Sequence, residues 1–351
     1  MSVYALDFGT TRKGRPTHLY RMKNARGMEV DITDLGASIV AVRLPAEDGK
    51  LVDVALGFDD VHCYEKNPDY MGGIVGRCAN RIAGASFELA GSTHTLTAND
   101  GENSLHGGRD PWNERLWEGV VIGRKGARRK GAHADTVIFG LFSDDDDQGY
   151  PGEVDVRVTY KLTDDNELKI VYDAQPSIKT LINLTSHAYW NLNGHDSGDV
   201  RSHLLRVDAS RYTPVDDALI PTGEVARVEG TPLDFCEAKP IEQSLDHNFM
   251  LNDAGHMREV ATLVGDKTGL SLTIATDLPA MQVYTGEFIR EAPAKDGATY
   301  GPFAGVALET QYAPDAIHHK KFSKPIFTPE EPYCSKTVLT FGGLAEVQTQ
   351  A

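Results

Sequence analysis

Apolar and polar residues alternate with a period of two along most of the chain. "VDVRVTY" is the clearest case, with Val154, Val156, Val158 and Tyr160 on one face and Asp155, Arg157 and Thr159 on the other. Asp164 to Asn166 then supply a turn signal before a second alternating run, "ELKIVYDA", and together the two predict a β-hairpin. Similar short runs occur at "MEVDIT", "SIVAVRL", "LVDVALG", "SHLLRVDA" and "GLSLTIAT". No long segment repeats apolar residues at i, i+3, i+4 and i+7, so only brief helical turns are expected, for instance over Val61 to Glu65. Many short strands at close spacing predict an all-β fold, an antiparallel sandwich or barrel. No Pro/Gly/Ser-rich linker divides the strands and no fixed-period repeat appears, so residues 1–351 are read as one domain.

One run breaks the simple picture. In "GVALETQYAPD" alternation sends Val306, Leu308, Thr310 and Tyr312 to one face and Ala307, Glu309 and Gln311 to the other. A lone carboxylate inside an apolar strand costs stability unless it is solvated, paired or useful.

Composition narrows the partners. The chain has 351 residues and a net charge of −16, from 51 acidic and 35 basic side chains. That balance argues against nucleic acid or an anionic membrane as partner and favours a neutral or small substrate. The opening "MSVYALDFGTTRKG" lacks the basic and apolar regions of a signal peptide. No run of about 18 apolar residues is present to span a bilayer. Cys63, Cys78, Cys236 and Cys334 are far apart, make no zinc-type spacing and read as free thiols in a reducing cytoplasm.

Two biased segments read as connections. The basic run "GRKGARRKGAH" at 123–133 is expected to be a solvated hairpin tip. Asp144, Asp146, Gln148, Gly149 and Asp155 fall near the spacing of a calcium-binding loop, but strand-like flanks and Pro151 favour an acidic turn over 144–147. Phosphate loops, dinucleotide fingerprints, nucleophile elbows and the zinc-protease helix motif are absent. His318 and His319 have no ligand partner at a telling spacing and read as surface residues.

What remains is a scatter of polar residues inside apolar segments. Asn80 and Arg81 end "GGIVGRCANR", His106 precedes two glycines in "NSLHGG", and Asp246 opens "LDHNFML". In "LINLTSHAYWNLNG", Asn183, Thr185, His187 and Tyr189 are expected on one strand face, with Leu184, Ser186, Ala188 and Trp190 on the other. Gln282 and Tyr284 share a face in "MQVYTGEF". Each has a plain structural alternative: a glycine turn with a surface arginine, a histidine bracing a turn, a satisfied core histidine, or a turn aspartate. Together they form a kit for binding hydroxyl groups and moving protons, with no cofactor evident.

"GRCANRIAG", "NSLHGG", "DQGYPGEV", "NLTSHAYWNLNG", "TPVDDALIPTGE", "LDHNF", "QVYTGEF" and "LETQ" follow one another in order. In this the chain resembles the aldose 1-epimerase (galactose mutarotase) family from about Val30 to about Phe341. The resemblance implies a large antiparallel β-sandwich with few short helices and an open cleft. It implies exchange of the α and β anomers of free aldohexoses such as galactose and glucose, with no cofactor or metal and in a monomer or weak homodimer. Glu309 matches the family's general base and His187 its general acid, while Asn80, Arg81, His106, Asp246 and Gln282 match sugar-contacting positions. Partial desolvation is expected to raise the Glu309 pKa, and a nearby carboxylate, Glu309 among the candidates, to keep His187 protonated. Trp190, Cys78, the pair Tyr312 and Ala313, and "PDAIHHKKFSKP" depart from the family pattern. They put sugar preference and rim shape in question and leave the acid and base positions intact. The competing readings are a non-catalytic sugar-binding sandwich, an epimerase of phosphorylated sugars, and a glycosidase, which needs two carboxylates about one bond.

Overall fold

A computed structural model describes residues 1–46, 49–123 and 134–343. Apart from Gly123, the basic run at 123–133 lies outside the described residues.

The described residues form two large antiparallel sheets and a smaller meander. In the nine-stranded sheet, Val154–Leu162 and Glu167–Pro176 make the expected hairpin, with Leu162 opposite Leu168. Val154, Val156, Val158 and Tyr160 are fully buried, as the period-two pattern predicts. The last described strand, Tyr333–Gly342, inserts between Glu167–Pro176 and Ser271–Thr276 at the middle of this sheet. The six-stranded sheet runs in the order Tyr189–Trp190, Val306–Gln311, Ala280–Tyr284, Asp246–Met250, Arg211–Thr213, Ala226–Arg227. The N-terminal meander joins Ser2–Thr10, Pro16–Lys23, Glu29–Thr33, Ile39–Pro45 and Leu51–Asp53 in chain order.

One main core draws on all three sheets. Val156, Ile170 and Leu339 of the nine-stranded sheet belong to it with Phe249, Met281, Val306 and Leu308 of the six-stranded sheet and Val30 and Val42 of the meander. Each such side chain stabilises the fold by about 1.5–3 kcal/mol through removal from water. A hydroxyl pair, Thr310 Oγ1 with Thr337 Oγ1 at 2.6 Å, links the two large sheets directly. Alternation along Val306–Gln311 therefore sends Val306 and Leu308 into the core and Glu309 to the opposite side.

The expected helical turn is present at Val61–Glu65, capped by Asp60 Oδ1, which accepts from the His62 backbone N–H at 2.8 Å. Among the described residues no helix is long and apolar enough to cross a membrane. The acidic segment is a turn between the Ala134–Ser143 and Val154–Leu162 strands. Its Asp147 accepts a bidentate pair from Arg115 (2.7 and 2.8 Å), and its Asp145 accepts from the Gly152 N–H at 2.6 Å.

"LINLTSHAYWNLNG" differs from the single strand expected of it. Thr180–Leu181 pairs with Ile326–Phe327, Thr185–Ser186 with Ile74–Val75, and Tyr189–Trp190 with Val306 and Ala307. Three partners in three directions break the run into short pieces. Leu184, Ala188 and Trp190 still reach the main core, while Ser186 is only half-buried.

The meander is tied to the rest by a buried lysine. Lys295 Nζ donates to Val40 O (2.7 Å), Ala55 O (2.6 Å) and Asp53 Oδ2 (2.8 Å). All three ammonium protons are used, which offsets the cost of burying the charge. Replacing Lys295 by Met removes the nearer cation of Asp53 and leaves only Arg43 Nε at 3.8 Å, and urea unfolding is expected to show a loss of about 3 kcal/mol. Wild-type stability in Lys295→Met would show that the ion pair contributes nothing.

Candidate active site

An open cleft of about 430 Å³ lies on the side of the six-stranded sheet that Glu309 faces. Its floor comes from that sheet and the turn beside it: Glu309, Asp246, Tyr284, Tyr189 and His187. One wall is built by the loop that carries Tyr70 and by a short ladder of Arg81–Ile82 with Ser104–Leu105, on or beside which stand Asn80, Arg81, Asp100 and His106. Pro68, Asp69, Leu105, Leu219, Phe288 and Arg290 are also on the lining, and Phe288 is 67 % exposed.

Strand register sets the floor. Glu309 lies opposite Gln282, Gln282 opposite Asn248, and Asp246 opposite Tyr284. Gln282 is not on the cleft wall itself. Its Nε2 donates to Asp246 Oδ1 at 2.6 Å and so fixes that carboxylate in place. Asp246 begins its strand, as a residue at the edge of a turn should.

His187 sits where the broken run turns over. Its N–H donates to Gly73 O (2.9 Å) and its carbonyl accepts from the Gly72 N–H (3.0 Å). Its ring is enclosed by Tyr70 (centroids 5.7 Å apart, stacked), Tyr189 (4.9 Å), His106 (5.4 Å) and Tyr284 (6.4 Å). The ring is thereby held in one orientation, with Nε2 3.7 Å from Glu309 Oε1.

The wall is locked by a reciprocal pair of bonds. The Asn80 N–H donates to His106 Nδ1 (3.1 Å), and the His106 N–H donates to Asn80 O (3.0 Å). Nδ1 is thus an acceptor, so the neutral ring carries its proton on Nε2. Both residues adopt left-handed backbone angles, φ 59° for Asn80 and 49° for His106. Asparagine and histidine are among the side chains that tolerate this region best. The next residue must be glycine: Gly107 has φ +85°, and a Cβ there would lie 2.0 Å from Gly76 O. Arg81 Nε donates to Asp100 Oδ2 at 2.7 Å, and Arg81 O accepts from the Asp315 N–H at 2.9 Å. The same Asp315 carboxylate accepts from Ala83 N–H (3.0 Å) and His318 Nδ1 (2.6 Å) and lies 3.0 Å from His319 Nε2. His318, exposed as the sequence reading expects, thus also braces the turn that pins Arg81, while His319 Nε2 makes no hydrogen bond.

The electrostatics follow expectation at Glu309 and depart from it at His187. Glu309 is 2 % exposed, and its Oε2 has no hydrogen-bond partner. Burial first, and the nearby Asp246 charge second, hold its pKa well above the usual carboxylate value. For His187, 4 % exposed, burial pushes the pKa down to about 4. The expectation that a neighbouring carboxylate keeps this imidazole charged is therefore corrected, because desolvation of both groups outweighs an attraction across 3.7 Å. Burial also holds the His106 pKa well below its ordinary value, with the His187 and Arg81 charges acting in the same direction.

Six of the seven expected site residues thus line one cleft, and the seventh supports Asp246. Sequence reading missed Tyr70, Asp69, Asp100, Leu219, Phe288 and Arg290 on the cleft lining. They lie in irregular segments where no periodicity marks a face. Chemically, the floor offers two carboxyls, Glu309 and Asp246, and one imidazole beside a wall of hydroxyl-binding groups.

A family model described as aldose 1-epimerase matches residues 18–340. The chain is 36 % identical over 343 residues to an aldose 1-epimerase of Escherichia coli, covering 93 % of this chain and 96 % of that one. It is 38 % identical over 352 residues to a galactose mutarotase of Bos taurus, covering 97 % and 99 %. Among solved structures it is similar to an aldose epimerase homologue from C. elegans, with a TM-score of 0.85, 30 % identity and coverage of 94 % and 100 %. The chain belongs to the aldose 1-epimerase family of isomerases.

Proposed function

We propose that the cleft holds one free aldohexose, galactose or glucose, and that Glu309 and His187 move the two protons of its ring opening and closure. The observation that carries this reading is the 3.7 Å approach of His187 Nε2 to Glu309 Oε1 on the floor of an open cleft. Ring opening removes a proton from the hydroxyl on C1 and delivers one to the ring oxygen as the C1–O bond breaks. Glu309 takes the first proton and His187 gives the second. The aldehyde then turns about its bond to C2, the freed hydroxyl adds to the other face, and both protons return. Between steps the pair passes from carboxylate and imidazolium to carboxylic acid and imidazole. One proton is held on the pair throughout, so each closure resets it. Burial favours the uncharged arrangement, which is the one that accompanies the open-chain sugar.

The remaining groups suit a polyol. Asp246 and Asp100 can accept from sugar hydroxyls, and Arg81 and His106 Nε2 can donate. Arg81 is already paired with Asp100, and Asp69, Asp246 and Glu309 share the lining with Arg290. Such a mixed, acid-rich lining favours a neutral sugar over a phosphosugar. We also read the whole chain as one working domain, supported by a main core that runs from Val3 to Phe341. Four free cysteines support a reducing compartment such as the cytoplasm. We read the protein as a monomer or weak homodimer, as the family resemblance implies.

Polarimetry on freshly dissolved α-galactose is expected to show Glu309→Gln slowed by roughly 10²–10⁴-fold. A wild-type rate in that variant removes Glu309 from the reaction. His187→Asn is expected to lower kcat more than it raises KM, and an effect confined to KM makes His187 a binding group.

The pH profile follows from the single shared proton. Below about 4 a second proton settles on His187, and at high pH the last one leaves Glu309. The acid limb of kcat/KM is therefore expected near 4, and a limb near 6.5, the ordinary histidine value, would contradict the effect of burial.

Stability moves the other way. The folded-state pKa of Glu309 is raised, so its contribution is full below the ordinary 4.5 and is lost as pH rises toward the folded value. Glu309→Gln carries no charge to bury. Its Tm is expected to exceed that of the wild type by a margin that widens above about pH 4.5, and a constant margin would count against the shift.

A further inference from the structure

The cleft side of the six-stranded sheet buries more polar atoms than the cleft lining accounts for. Glu309 and Gln311 project to this side from one strand, since Val306 and Leu308 enter the core and Thr310 bonds across to Thr337. Gln282 stands opposite Glu309 and Asn248 opposite Gln282, so the four side chains make one patch. None of the four is more than 5 % exposed. Glu309 Oε2, Gln282 Oε1, Asn248 Oδ1 and both amide atoms of Gln311 are buried with no hydrogen-bond partner among the described residues.

The orientation of two of these amides is already fixed. Gln282 Nε2 donates to Asp246 Oδ1 at 2.6 Å and Asn248 Nδ2 to Thr213 Oγ1 at 3.2 Å, which leaves their oxygens as the unmet atoms. The unmet set is therefore rich in acceptors, with Gln311 Nε2 its one amide donor. A buried polar group without a partner forfeits its hydration, and folded proteins meet such groups with other protein atoms or with ordered water. Water fits this set, because each molecule donates two hydrogen bonds and an internal water makes about three to otherwise unmet groups. The residue across the ladder from Gln311 is Ala280, whose single methyl leaves the amide room on that side. Ala280 belongs to an apolar cluster with Ala313, Ala316 and Phe322, which closes the patch away from the cleft.

We propose that Gln311, Gln282 and Asn248 hold internal water against Glu309 Oε2, and that Gln311 acts through this water as a positioning residue. Water bonded to Oε2 ties that oxygen to the sheet and leaves Oε1, the atom 3.7 Å from His187 Nε2, for the reacting hydroxyl. The same bond favours the carboxylate over the acid, and so limits the rise in pKa that burial causes. The water site rests on the unmet groups alone, while its effect on turnover rests on the aldose reading.

A high-resolution crystal structure of the full chain is the first test. Ordered water within hydrogen-bond distance of both Glu309 Oε2 and the Gln311 amide is expected, and a dry patch or a direct Gln311–Glu309 bond overturns the proposal. Gln311→Met keeps the length of the side chain and removes both amide atoms. The infrared carboxyl stretch of Glu309, isolated by subtracting the spectrum of the matching Glu309→Gln protein, is expected to titrate at least about one pH unit higher in Gln311→Met, the equivalent of one hydrogen bond to a charged group. The basic limb of kcat/KM in polarimetry is expected to rise with it. Thermal melting checks that the variant folds. An unchanged carboxyl titration in folded Gln311→Met overturns the proposal. Should Gln311→Met fail to fold, Ala280→Val decides in its place, since it fills the room beside the amide and keeps every polar atom. A wild type with the water and the infrared shift that converts no aldose would sink the functional reading and leave the water site standing.

Discussion

Glu309 is a carboxylate placed at the centre of a strand that is buried along its whole length. One of its oxygens has no partner, and the nearest cationic candidate is an imidazole that burial keeps uncharged. The rest of the site depends on holding that carboxyl there at tolerable cost. Burial holds its pKa well above the usual carboxylate value, since a neutral carboxylic acid is far cheaper to bury than an anion. The fold also surrounds the strand with rigid neighbours. Hydrogen bonding on both edges, the aliphatic contacts of Val306 and Leu308 below, and the Thr310–Thr337 bond leave Glu309 little room to relax away.

Around this fixed point the cleft has two unlike halves. The floor is sheet, where register decides which side chains stand together. Gln282 neighbours Glu309 and Tyr284 neighbours Asp246 because the strands pair that way. The wall is loop around one two-residue ladder, where position is specified mostly by individual bonds instead. Asn80 and His106 clasp each other, Asp100 holds the Arg81 guanidinium, and Asp315 holds its backbone. A site on a sheet is stiff by construction, and the wall reaches comparable definition only through bonds between segments far apart in the chain.

This division explains what could be read from the amino-acid order. Val154 to Tyr160 and Val306 to Gln311 follow the period of two, and their faces were legible directly. The Val61–Glu65 turn was legible from the lack of anything longer. Asn80, Arg81 and His106 were visible as polar residues beside glycines, but their mutual clasp was not, because left-handed backbone at asparagine and histidine has no periodic signature. Tyr70 was missed for the same reason, with φ 55° in an irregular segment. The broken run "LINLTSHAYWNLNG" was misread as one strand, since its three partners lie far away in sequence and periodicity is blind to them. The charge on His187 was misjudged because proximity to a carboxylate can be inferred from motifs, whereas depth of burial cannot.

The all-buried strand at Val306–Gln311 has a further consequence for how a faulty molecule would fare. Side chains on a strand change sides with every residue, so a slip of one position would drive Glu309 among Met281, Val283 and Phe249 and turn Leu308 outward. Such a chain would lose its chemistry and its interior in one stroke. Misregistered and inert molecules are therefore the same molecules, and they are the ones that cellular proteases find first.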